Sequence, residues 1–250
     1  MNRGYGLQDF VRRCNLAATN DELFGLLEEA TTRLGFEQFA MTHHVDMAGL
    51  PSDAVHLFSY NRDWVEILVD QRYFVDDPIL AASAKTAVGF LWSDVGKMID
   101  LTDRQKSILE RARGFGLGDG FTVPVHVPGE YQGTCNFGAR SLEKLAPDAL
   151  PTAQLIGAFA FEAARRIMRA SQPIQFPSHV PQLTGRQLDC ITLVAMGKTD
   201  WEIGRILGIS EATAHEHVES ARKRYSVAKR TQLVIRALFD GQISFSDILQ

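Results

Sequence analysis

Pro173, Pro177 and Pro181 stand in one polar stretch, "ASQPIQFPSHVPQLTGRQ" (residues 170–187), between two segments whose apolar residues keep helical spacing. A proline lacks a backbone N–H and pushes its predecessor out of the α region, so neither a helix nor a central strand crosses such a stretch. The 250-residue chain therefore has to fold as two bodies on a semi-stiff connector. The expected division is a first domain over 1–170, a linker over 171–182 and a second domain over 183–250.

Before the connector the pattern is mixed. "LQDFVRRCNLAA" and "NDELFGLLEEATTRL" read as amphipathic helices, the second with Asn20 as its expected cap, and "PDALPTAQLIGAFAFEAARRIMRA" spaces Leu155, Ile156, Phe159, Ala163, Ile167 and Met168 as a helix does. "FEQFAMT", "AVHLFSY", "FTVPVHV" and "QGTCNFGA" read as strands, with a short fifth in "VGFLW". Helices before, between and after a small sheet imply an α/β/α sandwich.

After the connector every segment reads as helix. "LTGRQLDCITLVAMGK" opens with Thr184 and Gln187, a pair that satisfies two free backbone N–H groups reciprocally; Thr199 and Glu202 repeat the device in "KTDWEIGRILGIS". Gly208 ends that helix, Ser210 caps the next, and "EATAHEHVESARKRY" places Ala214, Val218, Ala221 and Tyr225 on one stripe. "RTQLVIRALFDG" completes a four-helix unit. Two short helices across a glycine turn suit a DNA-reading helix-turn-helix and equally a small bundle with a solvated charged face. Charge is modestly asymmetric: residues 1–179 hold 17 Lys and Arg against 22 Asp and Glu, residues 180–250 hold 9 against 8, and the whole chain is at −4. The positive charge that matters is the local cluster Arg222, Lys223, Arg224, Lys229 and Arg230.

The tail, "LTGRQLDCITLVAMGKTDWEIGRILGISEATAHEHVESARKRYSVAKRTQLVIRAL", resembles the DNA-binding domain of the LuxR family of bacterial transcription regulators. Gln187 stands where the family usually has Glu, and Ile191 where it usually has Leu. The resemblance implies contact with double-stranded DNA through Lys198, Thr199, Trp201, Thr213, His215, Glu216, Glu219, Arg222, Lys223 and Arg224. His215 and Glu219 fall at base-contacting positions. A carboxylate near phosphates needs compensation, such as accepting from a cytosine amino group, so Glu219 implies an unusual operator half-site.

In the first domain "DQRYFVDDPILAAS" (70–83) sets Asp76 and Asp77 directly before Pro78, with Tyr60, Trp64 and Trp92 on either side. Tyrosine and tryptophan by themselves are ordinary core residues. Taken as Y-x3-W-x12-DP-x13-W, followed by "GFGLGDGFTVPVHVPG" and "GTCNFGA", they resemble the acyl-homoserine-lactone-binding domain of the same regulators over about residues 7–170. By that resemblance Asp77 accepts the amide N–H of an N-acyl-homoserine lactone, Trp64 donates to the lactone carbonyl and Tyr60 to the amide carbonyl. Trp92 belongs to the same set and Asn136 supplements it. Leu68 replaces a family tyrosine, and Leu80, Ile108, Ala112, Leu117 and Thr134 are expected around the acyl tail. One acceptor with several donors is the complement of an amide and its carbonyls.

Other motifs lead nowhere. The glycine series 114–121 follows a helix and opens a strand, the reverse of a phosphate loop, and no Gly-Lys-Ser/Thr follows it. His43 and His44 are adjacent and lack a partner at metal spacing. No Gly-x-Ser-x-Gly occurs, and Cys14, Cys135 and Cys190 are far apart. "MNRGYGLQDFVRRC" has basic residues without an apolar core behind them, and no apolar run reaches membrane-spanning length. The expectation is an α+β protein: an α/β/α sandwich with a five-stranded antiparallel sheet, linked to a C-terminal four-helix helix-turn-helix domain. It is expected to act in the cytoplasm as a dimeric, signal-responsive transcription factor without metal or other cofactor, partnered by RNA polymerase if an activator. The rivals are a ligand-independent regulator of the same architecture and an acyl-lactone hydrolase or isomerase using Asp77 as base.

Overall fold

The computed structural model describes residues 6–45, 54–127, 131–171 and 180–249, and the chain divides into two compact units, the first holding described residues 6–126 and 131–171 and the second residues 180–249 with Val127. Of the connector prolines only Pro181 is among the described residues; Pro173 and Pro177 lie outside them.

The first unit runs α1 (Leu7–Leu16), α2 (Asn20–Leu34), β1 (Gln38–His43), β2 (His56–Phe58), α3 (Arg62–Asp70), α4 (Tyr73–Asp76), α5 (Pro78–Ser83), β3 (Phe90–Leu91), α6 (Val95–Met98), α7 (Asp103–Arg113), β4 (Asp119–Val125), β5 (Gly133–Ala139) and α8 (Ala149–Ser171). The five strands form one sheet in the order β2-β1-β5-β4-β3, every neighbouring pair antiparallel. Alternation sorts its side chains: Phe39, Met41, Cys135 and Phe137 enter the core with α1, α2 and α8, while Ala40, Thr42 and Asn136 turn to the opposite face. That face is covered by α3–α7, so the sandwich has helices on both sides.

One local expectation changes, and one element gains detail. The cap of α2 is Thr19, whose extended backbone lets its hydroxyl accept from Glu22 N; Asn20 is already the first helical residue. The apolar stripe of α8 also splits. Ile156, Ala163 and Ile167 are buried, but Leu155 and Phe159 face outward at 42% and 41% exposure. Small residues take the helix onto the sheet instead: a Cβ on Gly157 would stand 3.0 Å from Val123 Cβ and 3.2 Å from Cys135 Cβ. The short helices α4–α6 carry no periodicity over four to six residues and are invisible to pattern reading.

The second unit comprises α9 (Gly185–Ala195), α10 (Asp200–Leu207), α11 (Glu211–Arg224), α12 (Arg230–Phe239) and a one-turn α13 (Phe245–Ile248) that extends the expected four. Thr184 with Gln187 and Thr199 with Glu202 form both capping boxes, and Ser210 caps α11. Gly208 closes α10 at φ 67°, a conformation that a side chain resists. Gly204 admits the turn, since a Cβ there would lie 2.8 Å from Ile209 O. Cys190, Ile191, Ile203, Ala214, Val218, Ala221 and Leu233 make the core. Gln187 is buried and donates to Ser220 Oγ at 3.0 Å, joining α9 to α11.

Candidate functional site

Asp77 owes its geometry to the proline after it. Pro78 occupies the first turn of α5, where its missing N–H costs nothing, and Asp77 is held extended at φ −64°, ψ 116°. Its Oδ1 accepts from Ile79 N at 2.8 Å. Asp76 turns outward to Arg104 at 2.6 Å. Burial pushes the Asp77 carboxyl up to about 6, against backbone N–H groups of Ile79 and Leu80 that pull it down. Asp77 is half-buried and lines a cavity.

That cavity has a volume of about 460 Å³, within the range of small-molecule sites. Tyr60, Trp64, Asp77, Trp92 and Asn136 line it, with Leu68, Leu80, Ile108, Ala112 and Leu117 supplying apolar wall. Neither the Tyr60 hydroxyl nor Trp64 Nε1 has a hydrogen-bond partner among the described residues. Burial, then the Asp77 charge, pushes the Tyr60 hydroxyl up, so it stays a donor. Trp92 is engaged already, its Nε1 donating to Thr122 Oγ1 at 2.8 Å.

Thr134 stands apart from this set. It is fully buried, and its Oγ1 accepts from Asn136 Nδ2 at 3.1 Å instead of lining the cavity. Sequence reading missed Ala40, Thr42, His44, Phe58, Phe74 and Ile79, all on the wall. The period-2 series Ala40, Thr42, His44 was the available signal. His43 packs its ring edgewise on Phe161 at 5.1 Å and, like His44, contributes to the cavity lining.

In the second unit the expected DNA-contacting residues lie just before and at the start of α10 and along α11. His215, Glu216, Lys223 and Arg224 are exposed, and Trp201 is 58% exposed with the Arg205 guanidinium 5.8 Å from its ring. Others are committed internally. Thr199 donates to Glu202 at 2.8 Å, Thr213 N donates to Ser210 Oγ, and Lys198 O accepts from Arg230. Arg224 donates to Gln182 O. Glu219 accepts from Arg222 at 2.6 Å, which partly neutralises the carboxylate. Asp200, which the sequence did not single out, holds His215 Nδ1 at 2.8 Å and Arg230 at 3.2 Å, tying three helices together.

A donor-lined chamber in one unit and a helix-turn-helix in the other define the class of ligand-chambered transcription regulators. Residues 19–164 match the family described as "Autoinducer binding domain", and residues 181–237 match "Bacterial regulatory proteins, luxR family". The chain belongs to the LuxR family: it is a quorum-sensing transcription regulator with an autoinducer-binding and a DNA-binding domain, and not an enzyme. It is 28% identical to the transcriptional activator protein BjaR1 of Bradyrhizobium diazoefficiens, covering 92% of this chain and 93% of that one. The HTH-type quorum sensing-dependent transcriptional regulator RpaR of Rhodopseudomonas palustris is 32% identical over 79% of this chain and 81% of its own. In fold it is similar to SdiA in complex with octanoyl-rac-glycerol, with TM-score 0.65, 23% identity and 95% of each chain covered. Escherichia coli SdiA matches likewise at 0.65, with 22% identity and 98% of each chain.

Proposed function

We propose that the chamber holds an N-acyl-homoserine lactone or a related acyl signal, and that the protein, as a symmetric cytoplasmic dimer, regulates transcription from a near-palindromic operator. The observation that carries this is the convergence of Asp77 with two unpartnered donors, Tyr60 and Trp64, on one otherwise largely apolar cavity. Buried polar groups need partners, and an amide with its carbonyls supplies them. Asp77 accepts the amide N–H, Trp64 donates to the lactone carbonyl and Tyr60 to the amide carbonyl. The signal-binding domain is residues 1–170, the linker 171–182 and the DNA-binding domain 183–250.

Ligand that binds only the folded domain stabilises it by mass action, coupling signal level to competent protein. Leu155 and Phe159, outward on α8, supply the apolar seam between protomers, and two-fold symmetry then gives paired half-sites. His215 and Glu219 read bases, while Lys223, Arg224, Lys229 and the Arg222 region hold phosphates. RNA polymerase is the further partner where the protein activates. No helix among the described residues is long and apolar enough to cross a membrane. The experiment is thermal unfolding of the full chain against acyl-homoserine lactones of graded length and octanoylglycerol, with mass spectrometry of co-purified ligand. A melting temperature indifferent to every compound defeats the sensing reading and leaves a ligand-independent dimeric regulator.

A further inference from the structure

The sheet side of the chamber is not apolar. A hydrogen-bonded line crosses it: Trp92 Nε1 donates to Thr122 Oγ1 at 2.8 Å, Thr122 Oγ1 to Asn136 Oδ1 at 2.8 Å, and Asn136 Nδ2 to Thr134 Oγ1 at 3.1 Å. The line ends at His44, whose Nε2 lies 3.4 Å from Thr134 Oγ1, long for a hydrogen bond. His44 lines the chamber, and its Nδ1 has no partner among the described residues. Burial, then the neighbouring His126 and His43, pushes the ring down to about 4. It is therefore neutral and offers one donor and one acceptor.

The two ends of this line differ in position. Trp92 packs over Gly120 and Gly138, where added Cβ atoms would meet its ring at 2.6 and 3.0 Å. Tyr60 lies at the same end, next to Asn61, whose N–H donates to Gln38 Oε1, and Gln38 pairs with Gly138. His44 follows the opposite end of β1, where His43 pairs with Gly133. Four strand residues from Gly138 to Thr134 span about 13 Å. Thr42, also at the far end, is already engaged with His56 at 2.9 Å, and His43 there accepts from Val55 N at Nδ1 and packs on Phe161, so His44 is the group with an open bonding position.

We propose that the chamber selects a signal whose acyl tail ends in a hydrogen-bonding oxygen, a hydroxyl or carbonyl received by His44 at the end remote from Trp92. This rests on the reading of the chamber as an acyl-homoserine-lactone site. A plain alkyl tail reaching this far displaces water from His44 and leaves it unpaired, whereas a tail oxygen pairs it. Sites built to hydrogen-bond a substrate group discriminate against analogues lacking it.

The test is calorimetric titration of the full chain with N-(8-hydroxyoctanoyl)-homoserine lactone and with N-nonanoyl-homoserine lactone, which has the same heavy-atom count in its tail. The hydroxylated compound is expected to bind about tenfold tighter. His44→Phe is expected to abolish that preference, and His44→Gln, which keeps a donor and an acceptor, to retain most of it. Equal or tighter binding of the nonanoyl compound to the native chain overturns the proposal and leaves the lactone reading standing. A preference that survives His44→Phe overturns the assignment to His44. Binding of neither compound overturns both.

Discussion

Asp77 is a carboxylate held where its charge is unfavourable, and replacing it with asparagine tests this directly. Its folded value of about 6 lies roughly two units above the ordinary 3.8. At ~1.4 kcal/mol per unit, holding the ionised group in these buried surroundings costs up to about 3 kcal/mol at neutral pH. The sign follows from proton counts. Between pH 4 and 6 the folded state binds the proton that the unfolded state has released, so this contribution lowers stability as pH rises and is constant above. Asparagine caps a helix as well as aspartate, so Asp77→Asn removes the charge without removing the cap on α5. Urea unfolding followed by tryptophan emission, with Trp201→Phe in both chains so that only Trp64 and Trp92 emit, reports on the first unit. The variant is expected to match the native chain near pH 4 and to exceed it by up to about 3 kcal/mol at pH 7.5, while losing the lactone-induced shift. A difference that stays flat across this range, or a native chain more stable at pH 7.5, refutes the reasoning.

Trp64→Phe removes the free indole N–H and keeps most of the ring packing; titration with an acyl-homoserine lactone is expected to show affinity lower by about tenfold. Gln187→Ala loses the capping box of α9 and the bond to Ser220 together, and chemical denaturation of the second unit is expected to register about 1–2 kcal/mol. Glu219→Ala is expected to change base preference at one operator position by about 1–3 kcal/mol; unchanged binding across all single-base variants ends the idea that Glu219 reads a base. Lys223→Ala, by contrast, is expected to weaken all sequences alike and reduce the salt slope by about one.

Much of this was legible along the chain because the signals are short. A capping box closes within four residues, so Thr184 with Gln187 and Thr199 with Glu202 announced their helices. Asp77 before Pro78 constrained its own backbone, and the Y-x3-W-x12-DP spacing carried the family resemblance that put Tyr60, Trp64 and Asp77 together. The misses share a cause. Thr19 and Asn20 both suit a cap, and only the backbone angles choose between them. Leu155 and Phe159 fitted the helical spacing that α8 shows, but spacing does not say which side meets the sheet; the helix approaches through Gly157, and those two face outward.

The sequence by itself determined the strands, the capping boxes of the second unit and its helix-turn-helix pattern, because backbone preference and apolar periodicity act between near neighbours. Only the tertiary structure decided which side chains meet. Pairing of β1 with β5 sets Ala40 against Asn136 and Thr42 against Thr134, residues remote in sequence whose register no local preference fixes. That register puts Ala40, Thr42, Asn136 and Thr134 on the chamber side of the sheet, opposite the helices that carry Trp64 and Asp77. A one-residue slip would send each strand side chain to the other face, so chamber chemistry is a property of the sheet as assembled.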